Sequence, residues 1–97
     1  MKYLLAAAAA LAVSAPAFAT GVMTCNVPKA DHKPQADLVA KLTQEGWQVR
    51  KAKPDGGCYE VYGTTPEGDR VEAYFDPATF EKLYVARRGE VLFKKAR

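Results

Sequence analysis

After the polar segment NVPKADHKP (residues 26–34), the stretch QADLVAKLTQEG places Leu38, Val39 and Leu42 at i, i+1 and i+4. That spacing is the stripe of an amphipathic helix with one buried face. Asp31 is the expected N-cap, Pro34 belongs in the first turn, and Gly46 stands where a C′ glycine ends a helix. At about twelve residues, such a helix is barely stable alone and needs a surface to cover.

Beyond Gly46 the pattern becomes alternating. In WQVRKAK, Trp47 and Val49 share a face, but Ala52 is one step out of phase, which a β-bulge near Arg50 and Lys51 corrects. PDGG reads as a turn. In CYEVYGT, Tyr59, Val61 and Gly63 alternate with Cys58, Glu60 and Tyr62. TPEGD then reverses the chain into RVEAYFD, where Val71, Ala73 and Phe75 alternate with Arg70, Glu72 and Tyr74. A symmetric turn sets Tyr59 against Phe75 and Val61 against Ala73 on the helix side. On the other side it sets Tyr62 against Glu72 and Glu60 against Tyr74. The two faces agree, as a correct hairpin register requires.

The segment DPATFEKLYVARRG has two readings. One is a helix capped by Asp76 with Pro77 at N1. The other is a turn at DPAT followed by a hairpin, KLYVA, RRGE and VLF, rich in strand-forming residues. From local pattern alone, residues 77–93 remain open between them. Either way the chain is α+β: one N-terminal amphipathic helix packed on an antiparallel β-sheet of three to five strands.

The start of the chain has a different composition. MKYLLAAAAALAVSAPAFA has one basic residue, Lys2, then an apolar run, then Ala17-Phe18-Ala19 at its end. This is the form of a secretory signal peptide cleaved after Ala19, too short for a stable transmembrane helix. The expected organisation is therefore a leader at 1–19, an N-terminal arm at 20–33 and a domain at 34–97, with no membrane span in the mature chain and a periplasmic or secreted location. Loss of Lys2 lowers the net charge from +3 to +2. That balance gives no argument for nucleic acid, and FKKAR at the end reads as a solvated terminus.

Export changes how the two cysteines are read. In an oxidising compartment, Cys25 and Cys58 of a small domain are expected to pair. Free thiols or a metal are the alternatives, but a structural zinc site needs about four ligands, and only His32 joins the two cysteines. Closing this loop contributes roughly 3 to 4 kcal/mol, a large share of the ~5–15 kcal/mol by which domains are stable.

Catalytic machinery is not legible. The sole serine, Ser14, lies in the leader, and His32 reads as a surface residue of a polar arm. Glu60 and Glu72 share a face on neighbouring strands, but each faces a tyrosine, not a second carboxylate. PDGG and PEGD lack the following helix of a phosphate cradle. We therefore expect no enzyme activity, no cofactor and no metal. The face away from the helix carries Glu60, Tyr62, Arg70, Glu72 and Tyr74, a candidate partner-binding face, because tyrosine and arginine supply contact area together with hydrogen bonds.

The run GWQVRKAKPDGGCYEVYGTTPEGDRVEAYFDPAT resembles the PepSY domain, especially its small periplasmic single-domain members. The likeness runs through Tyr59-Glu60-Val61, Glu67-Gly68, Arg70-Val71-Glu72 and Asp76-Pro77-Ala78-Thr79, covering about residues 25–80. A cysteine ahead of YEV with a second near the mature N-terminus is also similar to that subgroup. Phe80 departs from the pattern: the family has glycine after DPxT, which puts the shape of that turn in question. The resemblance implies a helix on an antiparallel sheet, favouring the hairpin for the tail. It also implies an exported, non-enzymatic protein-binding module that modulates or inhibits a peptidase. An accessory or sensor domain of an envelope assembly is the alternative, with a small thiol-redox or metal-handling protein behind it. The sequence leaves the partner's identity and the oligomeric state open.

Overall fold

The structure, a computed structural model, describes residues 22–96. The expected leader at 1–19 lies outside these residues. An extended arm leads through a short 3-10 turn at Lys29–Asp31 into helix α1 (Gln35–Gln44). Five strands follow: β1 (Gln48–Asp55), β2 (Cys58–Thr64), β3 (Arg70–Phe75), β4 (Lys82–Arg87) and β5 (Glu90–Lys94). They form one antiparallel sheet in the order β1-β2-β3-β4-β5, and α1 packs on one of its faces.

The end of α1 follows from Gly46. Its φ of +102° is open to glycine and strained for other residues. There the Gly46 N–H donates to the Thr43 carbonyl at 3.1 Å and the Trp47 N–H to the Leu42 carbonyl at 3.0 Å, a Schellman closure that delivers Trp47 to the core. The start differs from expectation. Asp31 does not cap the helix; Pro34 occupies the N-cap position with no side-chain cap. A residue before proline is biased towards extended backbone. Lys33 is moreover held from two sides: its N–H donates to the Pro77 carbonyl at 2.9 Å, and its carbonyl accepts from the Tyr59 hydroxyl at 2.6 Å.

Leu38, Leu42, Val61, Ala73, Phe75 and Val85 are buried together between helix and sheet, with Trp47, Val49 and Ala52 packed at the margin. The β2–β3 register is the expected one: Tyr59↔Phe75, Glu60↔Tyr74, Val61↔Ala73, Tyr62↔Glu72. The β1–β2 ladder shifts between Val49 and Lys51, so Arg50 is the bulged residue that brings Ala52 opposite Val61. The tail is a hairpin, β4–β5, and the helical reading of 77–93 does not hold.

Phe80 resolves the irregularity at DPAT. It takes the left-handed conformation itself, φ +67°, so the turn keeps the backbone form in which glycine would be unstrained. Asp76 Oδ1 accepts from the N–H groups of Ala78 (2.7 Å) and Thr79 (3.1 Å), and the Phe80 N–H donates to the Asp76 carbonyl at 2.8 Å. A left-handed non-glycine residue costs about 1–2 kcal/mol. Burial of the ring offsets this: Phe80 is 9 % exposed in the core, with Lys33 Nζ 5.2 Å from its centroid.

Two predictions follow from this frame. Phe80→Ala loses the buried ring and keeps the strain, costing about 3–5 kcal/mol; Phe80→Gly loses the ring but relieves the strain, and is more stable than the alanine variant by about 1 kcal/mol. Urea unfolding of the pair measures the difference, and equal stabilities would contradict it. Replacing Cys25 and Cys58 by serine costs about 3 kcal/mol, so the melting temperature drops by more than about 10 °C. An unchanged melting curve would contradict a structural role for the bond.

Candidate functional site

The sheet face turned away from α1 has a closed end and an open end, and one covalent bond sets the boundary. Cys25 in the arm is joined to Cys58, the first residue of β2 (S–S 2.06 Å). The arm reaches that position by crossing the β1–β2 turn, where the Cys25 N–H donates to the Gly56 carbonyl at 2.8 Å. Gly56 and Gly57 both have positive φ, as a two-residue hairpin turn requires. They also leave room for the arm: a Cβ at Gly56 would collide with the Met23 carbonyl oxygen, and one at Gly57 with that of Cys25. The DGGC sequence is thus at once the turn and the seat of the arm.

Beneath the arm, Met23, Cys25 and Leu83 pack on the buried cluster Cys58, Tyr74, Tyr84 and Ala86. The rings of Tyr74 and Tyr84 meet edge-on at 5.9 Å. The Tyr74 hydroxyl donates to Asp55 Oδ2 at 2.7 Å, tying β3 to the last residue of β1. Glu60 is fully buried beside this cluster, with Lys53 Nζ 3.8 Å from its carboxylate. Burial pushes the Tyr74 and Tyr62 phenols far above their ordinary value; the carboxylates add to the shift, Asp55 through its hydrogen bond to Tyr74 and Glu60 through its interaction with Tyr62. Protonated hydroxyls are what allow phenols and carboxylates to share so dry a space.

This arrangement corrects the expectation of an uncovered face. Of the five residues proposed from sequence, Glu60 and Tyr74 are fully buried and present nothing to a partner. Tyr62 and Glu72 are half-buried and Arg70 is exposed. These three remain together at the open end, in a shallow hollow of about 240 Å³ that also includes Arg50, Ala86 and Arg88.

Each arginine is placed by a local irregularity or a strand end. Arg50 is the bulged residue of β1, Arg70 opens β3, and Arg88 sits in the β4–β5 turn at φ +52° beside Gly89. Lys51 Nζ lies 5.9 Å from the Tyr62 ring centroid, adding a fourth cation at the rim. Among the described residues, Glu72 is the one carboxylate lining the hollow. Guanidinium groups around a phenol ring favour a partner's carboxylates, which they can bind in bidentate fashion. Sequence reasoning missed Arg50 and Arg88. The predicted bulge was the available signal for Arg50; Arg88 depended on resolving the tail as a hairpin.

A wider cleft of about 580 Å³ runs between the arm and the end of β5, lined by Met23, Thr24, Asn26, Leu83, Lys94 and Lys95 among others. Its polar groups do not converge on one charge type. Among the described residues, no group of three or more His, Cys, Asp or Glu is placed to hold a metal ion, and both cysteines are in the disulfide. No helix among them is long and apolar enough to cross a membrane.

One helix backing a five-stranded antiparallel sheet, with a tethered arm across the far face, defines a small α+β scaffold. The chain belongs to the PepSY family, matching the family described as peptidase propeptide and YPEB domain over residues 3–84. Comparison with curated proteins and with solved structures gives no match.

The tyrosines predict a pH dependence. Their folded-state values lie above the ordinary 10.0, so the folded protein keeps protons that the unfolded chain releases. Stability is therefore fully present below about pH 10 and falls as pH rises past it. In an absorbance titration, Tyr62 and Tyr74 ionise together with unfolding. Their ionisation at the ordinary value with the fold intact would contradict the assignment.

Proposed function

We propose that the protein is an exported, non-catalytic binding module that modulates a peptidase, gripping an acidic segment of its partner in the arginine-rimmed hollow. The observation that carries this reading is the convergence of Arg50, Arg70 and Arg88 around Tyr62 in one hollow at the end of the far face away from the arm. Family membership supports a peptidase as the partner class, since the family is described by peptidase propeptides. The Ala17-Phe18-Ala19 leader pattern supports export.

The physical case is one of positioning. The backbone under these arginines is set by a bulge, a strand start and a tight hairpin, so less freedom is lost on binding than with arginines on mobile loops. Their charge speeds encounter with an acidic partner and makes the rate depend on salt. Tyr62 supplies a rigid ring over which a partner side chain can lie.

The test is a titration of the purified, processed protein against metallo-, serine and cysteine peptidases of the secreted and periplasmic classes, reading inhibition and binding. Binding to at least one class is expected, weakening with salt, and Arg50→Glu/Arg70→Glu lowers the affinity about tenfold or more while the melting curve is retained. Absence of binding and inhibition across all classes would contradict the proposal, as would binding indifferent to the double variant.

A further inference from the structure

We infer that β5 is a self-pairing edge, through which two copies of this chain join antiparallel into one ten-stranded sheet. The sheet has two edges, β1 and β5, and they are treated very differently. The β1 edge is obstructed: it carries the Arg50 bulge, Lys51, Lys53 and Pro54, and Gln35 Nε2 of α1 donates to the Ala52 carbonyl at 3.1 Å. Charge, proline, a bulge and a covering helix are the usual means of preventing edge association. β5 has a bulge of its own, at Leu92, and charges at its two ends, but it contains no proline and its centre is apolar. All five residues are exposed, and three in succession are apolar: Val91 at 50 %, Leu92 at 41 % and Phe93 at 38 % exposure.

The charges choose the occupant. β5 reads Glu-Val-Leu-Phe-Lys, followed by Lys95, acidic at its start and basic at its end. Two such strands running antiparallel about a two-fold axis set Glu90 of each copy towards Lys94 and Lys95 of the other, with the apolar centres side by side. Opposite charges across a ladder favour pairing and like charges oppose it, so parallel self-pairing is disfavoured. The register shift between β4 and β5 makes Leu92 the extra residue, and Leu92 and Phe93 line one groove of about 490 Å³ with Trp47 and Val85, bordered by Glu45, Glu67 and Asp69. A second copy extends that groove with its own Leu92 and Phe93. A contact of this kind is isologous and closes at two copies. It also leaves both arginine hollows on the same face of the joined sheet, although self-pairing does not depend on what those hollows bind.

The charge pattern supplies its own control. Glu90→Lys makes both ends of β5 basic, and Lys94→Glu/Lys95→Glu makes both acidic. Glu90 pairs with Arg87 at 3.2 Å and Lys95 with Glu81 at 3.0 Å, each an exposed contact whose loss leaves the fold intact; circular dichroism checks this. Sedimentation equilibrium from micromolar to millimolar protein is then expected to show a concentration-dependent dimer for the unmodified chain. Each variant alone dimerises about tenfold or more weakly, and an equimolar mixture of the two recovers the dimer. A monomer throughout the range would overturn the inference, leaving the edge to a strand of some other protein. So would a dimer unaffected by both variants, or a mixture that stays monomeric.

Discussion

A small sheet has two faces to protect, and a single ten-residue helix protects one of them. What happens to the other face depends here on the bond between Cys25 and Cys58. The arm contributes few apolar side chains, chiefly Met23 and Cys25 among those packed on the far-face cluster. Such a segment would not remain ordered on the sheet through burial alone, given the conformational entropy lost per residue. Tethering removes much of that cost, because the unfolded chain is restricted as well. Two glycines then admit the arm's carbonyls where any side chain would obstruct them.

Closing that end has a chemical consequence. Under and beside the arm lie Asp55, Glu60, Tyr74 and Tyr84, a polar group that an open face would simply solvate. Burial keeps Tyr74 protonated, so that its hydroxyl donates to Asp55 in a dry setting. The polar cluster thus specifies how β1, β2 and β3 fit together, through Tyr74 to Asp55 and through Lys53 beside Glu60. Beyond the arm's reach the same face is wet, and there the arginines collect. The division of one face into a dry, tyrosine-rich end and a wet, basic end is the feature from which the binding proposal grows.

Much of this fold was legible in the alternation of side chains. The β2–β3 register could be read because the five-residue turn is symmetric and apolar and polar pairs agree on both faces. The bulge at Arg50 could be read from the phase slip between Val49 and Ala52, and the end of α1 from Gly46. The helix start could not, since the contacts that hold Lys33 extended come from Tyr59 and Pro77, distant in sequence. Burial of Glu60 and Tyr74 was hidden for the same reason. The expected Cys25–Cys58 bond ties the arm to their face, but neither the bond nor the alternation says how far the arm lies across it. Phe80 shows the converse limit: a departure from the family pattern suggested a reshaped turn, yet the backbone kept its form and the ring compensated in the core.

The central claim, that the disulfide holds the arm closed over the far face, is most directly tested by hydrogen exchange at the Cys25 amide, which donates to the Gly56 carbonyl. The account predicts slow exchange with the bond intact and a shift to near-unfolded rates on reduction, under conditions where the Val61 and Ala73 amides of the central strands stay protected. Fast exchange at Cys25 in the oxidised protein, or slow exchange that survives reduction, would contradict it.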